Sequence, residues 1–377
     1  MTAVPLSILD LAPVPSGSDA GSALRNSIDL ARRAESFGYN RYWVAEHHFT
    51  DGVASAAPAV LIGLIAAATD RIRVGSGAVQ VGHQTALSIV ESFGLLDAVF
   101  PGRLDLGLGR SGQRRTEALA AIGGAAKPRQ APRTESRVVD GLLIPPPFDF
   151  TSIVASPRWS LQADLQQQPG AQSPDFAEVV DDIRALTAGT YARDGIDVHV
   201  TPGEGAKTEL WILGSSAGQS AQVAGERGLP FAANYHVSPA TVLEAVGHYR
   251  SAFRPSEVLD RPYVLVSADV VVAPTTSEAR ELATPYGHWV HSIRSGRGAI
   301  PFPTPAEARA TPLTAQQQAL VQDRLDTQFV GTPAEVAEHL SILRAATDAD
   351  ELLVTTITHD HADRVRSFEL LARHWFV

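Results

Sequence analysis

The sequence predicts an α/β protein: a (β/α)8 TIM barrel with insertions after strand 4 and after strand 7. Three observations lead to it. Short β-branched or apolar runs recur along the 377 residues, most of them followed by an amphipathic helical stretch. That alternation implies a parallel sheet with right-handed crossovers. Eight such runs are present, the number that closes a barrel, and a barrel of about 250 residues plus insertions accounts for the length. The competing doubly wound sheet carries a GxGxxG fingerprint straight after its first strand, where this chain reads DLAPVPSG.

Taken in order, Val4–Asp10 is the first strand, and the helical stretch Ala20–Phe37 follows it and stops at Gly38. Arg41–Glu46 precedes the Ala-rich stretch Ser55–Thr69, and Ile72–Val79 precedes Thr85–Val99. Arg103–Gly109 follows the turn dipeptide Pro101-Gly102. Leu210–Gly214 is paired with Ser216–Arg227, Pro230–Ala233 with Pro239–Ala252, and Tyr263–Ala273 with Ser277–Arg294. The helix Pro333–Ala346 leads into the last strand, Glu351–Thr356, which His361–Trp375 follows. Two stretches break this rhythm. Residues 123–174 contain PRQAPR, IPPPFDF and DLQQQPGAQSP, too rich in Pro and Gln for a regular helix. So long a connection in a compact enzyme is commonly a lid or a mobile segment. The second interruption, 295–312, follows the helix after the seventh strand. One domain spanning 1–377 is expected, with both stretches as insertions.

Composition narrows the function. Hydrophobic residues make up 44% and charged residues 19%, which excludes a disordered chain. With no cysteine, disulfides, iron–sulfur clusters, cysteine zinc sites and thiol nucleophiles are ruled out. Basic residues number 31 against 41 acidic ones, and no basic stripe is formed, so no nucleic-acid partner is expected. The N-terminal MTAVPLSILDLAPVP lacks a signal-peptide pattern, and no run of about 18 apolar residues occurs. A cytoplasmic protein without a membrane partner is expected.

In a barrel the chemistry lies where strands end and βα loops begin. Here those ends read Asp10-Leu11, Glu46-His47-His48-Phe49, Gly75-Ser76-Gly77-Ala78 and Gly107-Leu108-Gly109-Arg110-Ser111-Gly112. They continue with Gly214-Ser215-Ser216-Ala217-Gly218-Gln219, Asn234-Tyr235-His236 and Thr355-Thr356, with His359-Asp360-His361 beyond. Polar residues and glycines converge on one end. Gly214-Ser215-Ser216 opens a helix and can point N–H groups and hydroxyls at a phosphate, or Ser215 or Ser216 can simply cap that helix. Arg110, on the same face, can clamp a phosphate or form an ion pair at the rim. Adjacent strand residues alternate sides, so at most one of His47 and His48 faces the mouth if the strand reaches them. A metal site using His236, His359, Asp360 and His361 is disfavoured, because the first strand offers Leu9-Asp10-Leu11 in place of a His-x-His pair.

The segments VPLSILDLAPV, YWVAEHHFTDG, IRVGSGAVQV, FPGRLDLGLGR, ELWILGSSAGQSAQVAGERGLPFA, QFVGTPAEVAEHL and ADELLVTT resemble the bacterial-luciferase-like flavin-dependent monooxygenases. The likeness is nearer to the single-chain subgroup that includes antibiotic-tailoring oxygenases than to the luciferase subunits. It implies FMN, supplied reduced by a separate flavin reductase, and O2 chemistry through a flavin C4a-hydroperoxide on a small apolar or aromatic substrate. On matching positions, His47 corresponds to the family's catalytic histidine, with Glu46 beside it. Ser76, Gly77 and Ala78 fall in the flavin-contacting segment, Gly77-Ala78 where the family has a non-proline cis peptide. Arg110, Ser215, Ser216 and Gln219 fall where it holds the flavin phosphate. Gly109 stands where luciferase subunits often carry a reactive cysteine, which puts light emission in doubt. The family also contains F420-dependent hydride-transfer enzymes and flavin-binding proteins without turnover, and the phosphate motif does not separate the cofactors. Ser55–Thr69 and Thr85–Val99 are apolar over much of their circumference. In the family these helices form the dimer interface, so a homodimer is expected.

Overall fold

The computed structural model describes residues 4–110 and 133–376. Eight parallel strands close on themselves: β1 (Leu6–Asp10), β2 (Arg41–Val44), β3 (Arg73–Ser76), β4 (Leu104–Arg110), β5 (Glu209–Gly214), β6 (Phe231–Asn234), β7 (Val264–Val272) and β8 (Glu351–Thr355). Closure is made by β4 against β5, in register from Asp105↔Glu209 to Gly109↔Leu213, and by β8 against β1. Each strand is followed by an outer helix: α1 (Ala20–Phe37), α2 (Pro58–Ala66), α3 (Ala86–Val99), α4 (Phe176–Ala188), α5 (Gln219–Glu226), α6 (Val242–Ala252), α7 (Pro333–Thr347) and α8 (His361–Trp375). The (β/α)8 barrel expected from the sequence is the fold. Among the described residues no helix is long and apolar enough to cross a membrane.

Strand alternation divides the core. Leu6, Ile8, Val264, Val266 and Val270 point outward into the layer shared with the helices. Leu9, Trp43, Trp211, Leu265 and Leu353 point into the barrel, where Trp43 and Trp211 meet edge to face at 5.2 Å. Below them, at the N-terminal end, Arg41 pairs with Asp105 and Glu209 at 2.8 Å and with Glu351 at 3.2 Å. Arg73 Nη2 reaches Asp105 at 2.6 Å, and Trp43 Nε1 donates to the same carboxylate at 2.8 Å. The barrel floor is thus sealed by ion pairs and tryptophans, which leaves the C-terminal end as the open one.

Several elements differ from the expectation. The third strand is interrupted at the cis Gly77-Ala78 peptide, and Val79–Val81 resumes beside β4. The stretch expected as one helix after β7 is two, Thr276–Ala283 and Tyr286–Arg294, because Pro285 between them has no N–H to continue the ladder. The Pro/Gln-rich interval, expected to lack regular helix, contains Thr151–Val154 and Pro157–Gln166. Its proline sits in the first turn, where the missing N–H costs nothing, Ser156 caps the helix by accepting from Trp159 N, and glutamine is a good helix former. Residues 123–132 of that interval, like Ser111 and Gly112, lie outside the described residues. Helix α4, capped by Asp175, begins just beyond this stretch and has no counterpart in the sequence reading. The same holds for Pro305–Ala310, Ala315–Asp326 and the short strand Phe329–Gly331.

Candidate active site

At the C-terminal end of the barrel lies a cavity of about 480 Å³. Its apolar wall includes Leu9, Leu11, Val53, Leu213, Trp289, Ile293, Leu353 and Ile357. Both interruptions of the barrel rhythm contribute to it. Ile153, Ser156, Arg158, Trp159 and Gln162 come from the first, and Gly296, Gly298 and Ala299 from the second. The second stretch is held by the β2 loop: Gly52 N donates to Ala299 O at 2.8 Å, and a Cβ at Gly52 would fall 2.0 Å from Ile300 O. The first is held in part by Arg158, which stacks over Phe49 at 4.2 Å and donates to the Phe49 carbonyl.

Strand β2 ends at Val44, so the alternation that would send only one histidine to the mouth does not reach them, and both His47 and His48 line the cavity. His47 is anchored by its main chain, whose N–H donates to Ser55 O at 2.8 Å. His47 is exposed to solvent through the cavity that it lines. Desolvation by the protein packed around it, aided by the neighbouring His48 and opposed by Glu46, lowers its pKa to about 4 even though the residue is reached by solvent from the cavity. His47 is therefore neutral near pH 7.

Glu46 is only 4% exposed and does not line the cavity. Its carboxylate accepts from Gln80 N at 2.8 Å and holds His48 Nε2 at 2.7 Å, while Gln80 Nε2 donates to Glu46 O at 2.6 Å. It ties the histidine loop to the segment that follows Gly77-Ala78. Gly77 lines the cavity and Ala78 does not. Ser76 is fully buried, and its hydroxyl exchanges hydrogen bonds with Gly107 O and Gly107 N at 3.0 and 2.9 Å. At Gly109 a side chain would stand 3.2 Å from Ala78 Cβ, tight against the same segment.

Arg110, Ser215, Ser216 and Gln219 gather beside this cavity rather than in its lining, at the paired ends of β4 and β5. Arg110 Nη1 donates to Gln219 Oε1 at 3.3 Å, and Gln219 Nε2 donates to Asp175 Oδ2 at 2.7 Å. Neither Ser215 nor Ser216 caps α5. The N-cap is Gly218, which makes no side-chain cap bond, and the first turn holds no acidic residue. A Cβ at Gly218 would lie 3.3 Å from Ser216 Oγ and 3.5 Å from Arg110 Nη2. Its absence leaves a cradle bounded by a hydroxyl, a guanidinium and helix N–H groups, which fits a phosphate.

The remaining histidines separate. His236 lines the cavity, with Nδ1 2.6 Å from Ser267 Oγ. His359 bonds Ser16 O and Asp360, and His361 pairs with Asp29, none of them in the cavity wall. Among the described residues no group of three or more His, Asp or Glu could hold a metal ion. Asp269 and Arg324 also line the cavity and were not singled out in the sequence. Inward alternation along β7 (Leu265, Ser267, Asp269) marks Asp269, whereas Arg324 arrives from the unforeseen helix Ala315–Asp326.

A (β/α)8 barrel with its cavity, histidines and anion cradle at the strands' C-terminal ends is the architecture of a barrel enzyme. The family model of luciferase-like monooxygenases matches residues 4–138 and 152–349, and the chain belongs to that family. It is 36% identical over 367 residues to a luciferase-like monooxygenase of Escherichia coli, covering 97% of this chain and 96% of that one. The crystal structure of apo-MsnO8 is similar with a TM-score of 0.76 at 30% identity, over 99% of this chain and 98% of that one. The oxygenating constituent of 3,6-diketocamphane monooxygenase from Pseudomonas putida, solved with FMN, shares the fold, with a TM-score of 0.64 at 18% identity over 99% and 97% of the two chains.

Proposed function

We propose that the chain is a monooxygenase that takes reduced FMN from a separate reductase and uses O2 to oxidise a small substrate held in the cavity. The observation that carries this reading is the pairing of two features at the same end of the barrel: a cavity presenting neutral His47, and the Arg110–Gly218 cradle beside it. When bound, reduced FMN supplies the electrons that activate O2. Arg110, Ser216 and the first N–H groups of α5 hold its phosphate, and Gln219 is kept in place by Asp175. Gly77 and Ala78 let the main chain approach the flavin ring. His47 accepts or returns a proton at its free imidazole nitrogen, a role open to it because the ring is neutral at pH 7. Leu9, Leu11, Val53 and Trp289 exclude water from the reacting atoms. Glu46 positions His48 and Gln80, and with them the loop that carries His47.

We further propose a homodimer through α2 and α3. Val60 and Leu64 on α2, with Leu87, Leu95 and Val99 on α3, are 43–67% exposed, an apolar surface on two neighbouring helices.

Equilibrium titration with FMN and, separately, with F420 tests the cofactor. FMN should bind, and Arg110→Ala should weaken it about tenfold or more by removing a charge-assisted hydrogen bond. Binding of F420 with no affinity for FMN would overturn the reading. His47→Ala should leave FMN affinity nearly unchanged, since the ring is not part of the cradle.

A further inference from the structure

The cavity is apolar on one side only. On the other, β7 and β8 bring Asp269 and Thr355 into register at the barrel mouth. Asp269 is 4% exposed, and its Oδ2 accepts from Tyr286 OH and from Arg324 Nη2, the latter at 3.0 Å. Arg324 Nη2 also reaches Tyr286 OH at 2.5 Å. Both donors converge on one carboxylate oxygen. The other, Oδ1, makes no hydrogen bond within the protein among the described residues, yet it is not sealed off from the cavity as Thr355 Oγ1 and Arg324 Nε are. A carboxylate this buried, rigidly held by one oxygen, presents the second as a fixed acceptor. A ligand that displaces water from this largely apolar cavity without meeting that acceptor leaves it unpaired at a cost, so a ligand N–H or O–H is its natural complement.

Charge decides what kind of donor fits. Asp269 and Arg324 cancel as a pair, and His47 and His236 are both neutral near pH 7, with pKa values of about 4. Arg158, the other cation on the cavity wall among the described residues, is stacked on Phe49 on the far insertion. A carboxylate ligand placed here would face Asp269, and an ammonium would add an unbalanced charge to an already neutral corner. We propose that Asp269, held by Tyr286 and Arg324, determines specificity by accepting a hydrogen bond from a neutral substrate's hydroxyl or amide N–H. The substrate is then an apolar body with a neutral donor, not a plain hydrocarbon and not an anion. The proposal rests on reading this cavity as the substrate's.

Three isosteric probes test it: 3-phenylpropionamide, 3-phenylpropionate and 4-phenyl-2-butanone, differing only in donor and charge. Their binding is measured by ligand-observed NMR titration, with the protein alone and with FMN at saturation, FMN binding itself being read separately from flavin fluorescence. The amide should bind at least about tenfold more tightly than either of the others, with or without FMN. In Asp269→Asn, Tyr286 and Arg324 hold the amide oxygen and turn the NH2 toward the cavity, where either carbonyl can accept from it, so the amide's advantage over the ketone should disappear. Equal binding of amide and carboxylate by the wild type would overturn the proposal even if the variant does not fold. Loss of amide binding on adding FMN would also overturn it, by giving this corner to the flavin. Absence of FMN binding with amide selectivity intact would instead sink the monooxygenase reading and leave the Asp269 site standing.

Discussion

Replacing His236 by glutamine tests how the cavity wall is held neutral. His236 lies two residues beyond β6, partly buried, and bonds Ser267 Oγ at 2.6 Å. Burial pulls its pKa from 6.5 down to about 4, opposed by Asp269, with Arg324 and His47 adding to the fall. Because the folded value lies below the unfolded one, the unfolded chain takes up the proton first as pH drops. The stabilisation is therefore complete above about pH 6.5 and is lost as pH falls toward 4. In full this is about 3 kcal/mol, of which about 2 kcal/mol falls between pH 7 and pH 5. The substituted glutamine would not titrate but can still bond Ser267. Urea unfolding of both proteins at pH 7 and pH 5 should show the wild type losing about 2 kcal/mol more than the His236→Gln variant. His47 contributes less, since its ring opens to the cavity, and it is present in both proteins, so it cancels in the comparison. Parallel losses in wild type and variant would refute the assignment of His236 as a buried neutral imidazole.

Other consequences follow from the same geometry. Gly218→Ala should fill the cradle between Ser216 and Arg110 and weaken FMN binding about tenfold, while costing only about 1 kcal/mol in urea unfolding, Ala being a poorer N-cap than Gly. Arg41→Met leaves Glu351 buried on the barrel floor without its cation, Asp105 keeping Arg73, and should cost about 3 kcal/mol in urea unfolding. Leu64→Asp with Leu95→Asp should convert a dimer to a monomer by light scattering, with far-UV circular dichroism unchanged. A mass unaffected by the double substitution would remove α2 and α3 as the interface.

The barrel was legible because its signal is repeated: eight short strand-like runs, seven of them followed by a helical period. The cradle was partly legible for the same reason, since Gly214-Ser215-Ser216 and Arg110 both lie at strand ends. Two kinds of information were hidden. Side-chain direction beyond a strand's last residue is not periodic, so His47 and His48 could not be placed by alternation once β2 stopped at Val44. Composition also misled where local chemistry overruled it. The interval around Pro157 looked irregular, yet its proline occupies a helix's first turn and Ser156 caps it. Arg324 was out of reach altogether: it meets Asp269 across 55 residues of chain, and nothing local to either residue encodes that meeting.

The central reading is tested most directly by mixing the protein with reduced FMN and O2 without substrate and following hydrogen peroxide. A flavin seated in a water-excluding cavity should release peroxide at least about tenfold more slowly than free reduced FMN. Release as fast as from free flavin, with FMN demonstrably bound, would contradict a monooxygenase that protects its oxygen chemistry in this cavity.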